Sequence, residues 1–172
     1  NDDEFLCVCR PYMSLLLRYC FKHFNVGFWS EGMECFSEEI LKKILTPNEY
    51  NKCICRISRR NKTYYNNNDN TWKCIDNVNN IKFMAPIHNH TQTQNNITNC
   101  IKPLSILFNN GKYKNITEKN TLLIDNNILN TLYNHDNSIY VINSCNNVSD
   151  NILFLLFQYF QKIKITKNKN IK

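Results

Sequence analysis

No apolar run in the sequence approaches the roughly 20 residues that a membrane-spanning helix requires. The most apolar window, Ile152 to Phe160, is interrupted by Gln158 and reads as a core helix. Nothing at the start resembles a signal peptide: the chain opens Asn1-Asp2-Asp3-Glu4, with neither a basic region nor an apolar stretch. An initiating Met is missing too, which points to a segment cut from something longer. The formal charge of +7 comes from scattered Lys and Arg, densest in the last ten residues. No sustained basic face is interleaved with aromatics, so direct nucleic-acid binding is not expected. The nine cysteines include no Cys-x-x-Cys pair to nucleate a zinc site. Cys7-x-Cys9 and Cys53-x-Cys55 instead place each pair on one face of a strand. With an odd count and irregular spacing, the cysteines read as small buried hydrophobes in a reducing compartment rather than a disulfide framework. Glycine is scarce, at three residues, while Asn dominates the composition. That bias reflects A- and T-rich codons, so many Asn positions, and the Asn-x-Ser/Thr sequons they create, read as loop filler.

A chain of 172 residues holds one α/β domain with a single core and is short for two. Phe5 to Cys9 reads as an incoming strand. Arg10-Pro11 opens a helix whose apolar set Met13, Leu16, Leu17, Cys20, Phe21 and Phe24 recurs at helical spacing until Asn25. Val26 to Trp29 is a short strand running into Ser30-Glu31-Gly32. Ser37-Glu38-Glu39 reads as a helix N-cap with acidic residues in the first turn, and Thr46-Pro47 stops that helix. Lys52 to Ser58 alternates as a third strand. From Arg59 to Asn99 the composition turns polar, with only Trp72 and Ile81-Lys82-Phe83-Met84 as anchors. A low-complexity insertion is expected over about residues 59–99. Order returns with a short helical piece ending at Phe108, and Asn109-Asn110-Gly111 marks a turn. A strand from Thr121, a helical turn over Ile128 to Tyr133 and a strand over Ser138 to Ile142 follow. Ser149-Asp150 caps a final helix, Asn151 to Ile163, and residues 164–172 form a basic tail. This alternation predicts an α/β fold with a mainly parallel sheet and helices on both faces.

The run Thr121-Leu122-Leu123-Ile124 suits a strand buried on both faces, and it stops abruptly at Asp125. A carboxylate at the carboxyl end of such a strand sits where open α/β sheets place their ligands, although it equally suits a cap on the turn that follows. Ser30 follows another strand, and Lys102 opens a helical segment. If the strands are parallel neighbours, Ser30 and Asp125 project from one edge and Lys102 reaches it. A hydroxyl, an ammonium and a carboxylate beside an amide are what phosphoryl transfer asks of its surroundings. In that arrangement Ser30 donates to a phosphate oxygen, Lys102 offsets negative charge, and Asp125 and Asn126 hold Mg²⁺ through oxygens.

The order of these pieces resembles the NLI-interacting-factor family of the haloacid dehalogenase superfamily, which contains the TFIIF-associating phosphatases of the RNA polymerase II C-terminal domain. Arg10-Pro11-Tyr12, the helix, and Phe24-Asn25-Val26-Gly27-Phe28-Trp29-Ser30 are similar to its second motif. Lys102-Pro103-Leu104 is similar to the third, and Asn120 to Asn126 to the fourth, a strand ending in Asp-Asp or Asp-Asn. Asn137-Ser138-Ile139-Tyr140 and the closing helix extend the likeness. The resemblance implies a Rossmann-like sheet within a single domain over residues 1–172, Mg²⁺ dependence, and a phospho-aspartyl intermediate. It also implies a phosphoserine or phosphothreonine protein as substrate and a nuclear location.

Two departures qualify what the resemblance implies. Asn127-Ile128 stand where the family's fourth motif continues with Ser-Pro, and the first motif, Asp-x-Asp-x-Thr/Val on the central strand, is missing. Asp2-Asp3-Glu4 is no substitute, because no apolar strand precedes it. Ser30 has no His placed to activate it as a nucleophile. Two readings follow: a phosphatase whose nucleophilic Asp lies upstream of Asn1, or a catalytically inactive family member that serves as a protein-docking module.

Overall fold

The computed structural model of the protein describes residues 8–60, 71–88, 99–141 and 150–169. Its helices are α1 (Met13–His23), α2 (Glu34–Ile44), α3 (Pro47–Lys52), α4 (Ser105–Phe108), α5 (Ile128–Tyr133) and α6 (Ile152–Lys169). Its strands are β1 (Phe28–Met33), β2 (Arg56–Arg59), β3 (Thr71–Asp76), β4 (Ile81–His88), β5 (Asn99–Cys100), β6 (Leu123–Asp125) and β7 (Ser138–Tyr140). The chain divides into two compact units, one formed by the segments up to Phe24 and from Ser144, the other by Asn25 to Asn143.

In the first unit, α1 and α6 pack on each other through rings. Tyr19 meets Phe157 edge-on with centroids 5.2 Å apart, and Phe24 lies 5.5 Å from Phe160. Leu16, Leu156 and Phe160 are buried. Arg10 Nε donates to Asp150 Oδ2 at 2.5 Å, and Asp150 Oδ1 accepts the Ile152 N–H at the start of α6. The helix continues to Lys169, so much of the expected basic tail is helical; lysines are good helix formers and favourable near a helix C-terminus. Val8 and Cys9 are not in a strand, and Phe5 to Cys7 and Ser149 lie outside the described residues.

The second unit holds a five-stranded sheet in the order β1-β2-β3-β4-β5 and a two-stranded sheet of β6 and β7. The expectation of a mainly parallel sheet is corrected here. Only β1 and β2 are parallel in the larger sheet, and the remaining pairs are antiparallel. The reason lies in the segment expected to be an insertion. β3 and β4 form a hairpin, and a tight turn joins only antiparallel strands. Asp76 makes that turn by accepting the Val78 N–H on Oδ1, and Asn80 takes the left-handed conformation, φ 51°, that Asn tolerates. Cys74, Asp76, Ile81 and Ala85 point inward while Lys73, Lys82 and Met84 point out. The side chain of Trp72, and residues 61–70 and 89–98, lie outside the described part.

The core joins Cys55, Ile57, Cys74, Ile81 and Ala85 of the sheet side to Leu104, Leu107, Tyr113 and Ile116. Asp76 is buried at its margin and accepts from the Arg56 N–H, Asn79 and the Tyr113 hydroxyl, the last at 2.6 Å. Burial, and then that hydrogen bond, push the Tyr113 phenol up. The Cys55 thiol is pushed up to about 12 by burial and, secondarily, by the Asp76 charge. No disulfide joins the described cysteines Cys9, Cys20, Cys35, Cys53, Cys55 and Cys74. A Cβ at Gly27 would run into Cys55 Sγ, where the parallel β1–β2 pairing begins.

Arg56 and Ser58 alternate with Ile57 and face α2, where Arg56 Nε pairs with Glu38. α2 starts at Glu34, so Ser37 lies inside the helix, buried, rather than capping it. The extended Met33 forms the entry, with Glu34 in the first turn where the dipole favours an acid. Thr46-Pro47 ends this helix and also begins α3, with Thr46 and Glu49 forming a capping box. No described helix is long and apolar enough to cross a membrane.

Candidate active site

The aliphatic run that leads into β6 is only half-buried: Leu123 packs on the core, whereas Leu122 and Ile124 are 41% and 39% exposed. A two-stranded sheet covers fewer faces than the both-sides burial expected of the aliphatic run. The strand nevertheless delivers Asp125 as expected, buried at its carboxyl end. Asp125 Oδ1 accepts the Asn127 N–H at 2.7 Å, which turns the chain, and Asn127 Oδ1 accepts the Leu129 N–H at 3.0 Å as the N-cap of α5. Asp125 Oδ2 accepts from Lys102 Nζ at 2.7 Å.

Lys102 is held by its backbone as well as its ammonium. Its N–H donates to Asn130 Oδ1 at 2.9 Å and its carbonyl accepts from Asn134 Nδ2 at 2.9 Å. Asn134 also accepts the Leu104 N–H at 2.8 Å and donates to the Asn130 carbonyl. One face of α5 thus fixes the segment that carries the cation. All these groups are buried, where a satisfied polar network is rigid and an unsatisfied one is costly.

Of the expected site residues, Lys102 and Asp125 come together, and Asn126 is exposed beside them. Ser30 Oγ accepts the Gly32 N–H at 2.9 Å within β1. The next residue, Glu31, reaches the pair, with Oε1 4.0 Å from Lys102 Nζ and within 3.4 Å of both Asn127 Nδ2 and Asn130 Nδ2. The β1–β2 register is irregular here: Trp29 pairs with Ile57 and Met33 with Arg59, so residues 30–32 escape simple alternation. Composition alone does not mark Glu31, Asn127, Asn130 and Asn134 as neighbours of the Lys102–Asp125 pair. The spacing of the three Asn does put them on one helical face.

The side chains of Asp125 and Asn126 are hard oxygen donors suited to Mg²⁺. Among the described residues no three His, Cys, Asp or Glu side chains gather as a metal site would, so in chemistry the fit to such an ion extends only to these hard oxygens.

The family model of NLI interacting factor-like phosphatases matches the chain over residues 1–81 and 63–172. Comparisons with curated proteins and with solved structures find no match. The motif order, the mixed α/β architecture and these matches lead to one conclusion: the chain belongs to the NLI interacting factor-like phosphatase family.

Proposed function

We propose that residues 1–172 form a single magnesium-dependent protein serine/threonine phosphatase domain of the RNA polymerase II C-terminal-domain phosphatase type, working through a phospho-aspartyl intermediate. The observation that carries this reading is the buried contact of 2.7 Å between Lys102 Nζ and Asp125 Oδ2 at the end of a parallel strand. In it, Lys102 stabilises charge on the transferring phosphoryl group, and Ser30 donates a hydrogen bond to one of its oxygens. Asp125 and Asn126 hold Mg²⁺, which supplies charge neutralisation to the phosphoryl oxygens.

The nucleophilic aspartate comes from a further strand, preceding these residues in the chain. Sheet topology supports this: among the described residues, β1 pairs only with β2 and β6 only with β7, so each has an edge that another strand can fill. Glu31 on β1 and Asp125 on β6 both approach Lys102. A phosphoserine or phosphothreonine protein is the substrate, and the nucleus is the place of action.

The test is hydrolysis of p-nitrophenyl phosphate by the full protein, with and without Mg²⁺. Asp125→Asn and Lys102→Gln, each checked for folding by circular dichroism, are expected to lower the magnesium-dependent rate by about 100-fold or more. Full rates in both variants contradict the site. Binding of a phosphoserine peptide without turnover favours the docking module instead.

A further inference from the structure

A single oxygen of Glu31 is the meeting point of three donors. Oε1 lies 3.3 Å from Asn130 Nδ2, 3.4 Å from Asn127 Nδ2 and 4.0 Å from Lys102 Nζ. These distances are at or beyond the long end of hydrogen bonding, so the carboxylate is held loosely, and its side chain is 32% exposed. The donors are fixed from behind. Asn130 Oδ1 accepts the Lys102 N–H, Asn130 C=O accepts from Asn134, and Asn127 Oδ1 accepts the Leu129 N–H. Two anchored amide NH₂ groups directed at one point, with an ammonium 4.0 Å from it, form a cradle for an oxyanion.

We propose that this cradle is an oxyanion subsite which Glu31 fills with its own carboxylate, and that the phosphoryl group of the substrate binds by displacing it. The proposal rests on the phosphatase reading and adds to it a residue that sets affinity by competing for the site. Lys102 faces two carboxylates, Asp125 and Glu31, so an arriving anion meets an excess of negative charge. Removing Glu31 leaves a balanced ion pair and open donors. The irregular stretch of β1 that carries Glu31 lacks regular ladder pairing, so the side chain can swing outward without breaking the sheet.

The test is calorimetric titration of the full protein with inorganic phosphate as the probe, alongside p-nitrophenyl phosphate hydrolysis. Glu31→Ala is expected to tighten phosphate binding by about tenfold or more, and the shape-preserving Glu31→Gln to change it in the same direction. The gain is expected to vanish when Lys102→Gln is added, in a double variant shown by circular dichroism to be folded. Unchanged or weaker binding in both Glu31 variants, or a gain that survives loss of Lys102, overturns the proposal. A binding gain with no hydrolysis by any variant supports the cradle and removes the phosphatase reading. Hydrolysis by the wild type with unaltered phosphate affinity in both Glu31 variants does the reverse.

Discussion

Lys102 Nζ and Asp125 Oδ2 are 2.7 Å apart, with side chains only 9% and 4% exposed. A pair so far from water adds little net stability against an apolar substitute, but removing one partner leaves a buried charge alone. Lys102→Ala is therefore expected to cost about 3–5 kcal/mol in urea unfolding. Lys102→Ala/Asp125→Ala is expected to cost less than the sum of the single changes. Strict additivity would show that the charges are not coupled.

Asn134 holds the backbone of the same segment. Its amide donates to the Lys102 and Asn130 carbonyls and its oxygen accepts the Leu104 N–H. Asn134→Ala orphans buried groups, with an expected loss of about 2–4 kcal/mol from unsatisfied polar atoms. Asn134→Asp keeps the shape but turns an acceptor toward two carbonyls, so it is expected to destabilise at least as much. A neutral Asp variant in urea unfolding would contradict this.

Glu38 supplies a pH-dependent term. Burial raises its pKa, but hydrogen bonds from Tyr50 and Asn77 and the Arg56 cation outweigh that and leave it below its ordinary 4.5. A depressed folded pKa means stability that is present above the unfolded value and lost as pH falls through the folded one. The stability gap between wild type and Glu38→Gln is thus expected to be full at pH 7 and to close in acid below about pH 4. Urea unfolding across that range checks it, and a constant gap would refute it.

Gly27 and Cys55 test the start of the parallel pairing. A Cβ at Gly27 collides with Cys55 Sγ in a close-packed region. Gly27→Ala is expected to cost about 1–3 kcal/mol through overpacking. Adding Cys55→Ala is expected to recover part of that loss, and thermal melts in which the double variant is worse than the sum would contradict the collision.

The motif-bearing elements were legible because their signals are local: the apolar face of α1, the aliphatic run into Asp125, the turn at Asn109 to Gly111. The β3–β4 hairpin is masked in the sequence because Asn-rich composition outweighs a visible alternation from Ile81 to Ala85 and a turn that Asp76 and Asn80 build. Ser37 has the chemistry of a cap but lies inside α2, because a serine is equally compatible with a buried helical position. In the candidate site, Lys102 and Asp125 stand out by charge and position. The supporting Asn residues did not, since what separates a buried Asn130 from a loop Asn is tertiary context.

The most direct measurement is phosphate release from a phosphoserine peptide by the full protein, in Mg²⁺ and in chelator, for wild type and Asp125→Asn. Release in Mg²⁺ alone, with a rate about 100-fold or more lower in Asp125→Asn, is the expected result. Release that ignores Mg²⁺, or an Asp125→Asn protein as fast as wild type, would contradict a phosphatase site built on Lys102 and Asp125.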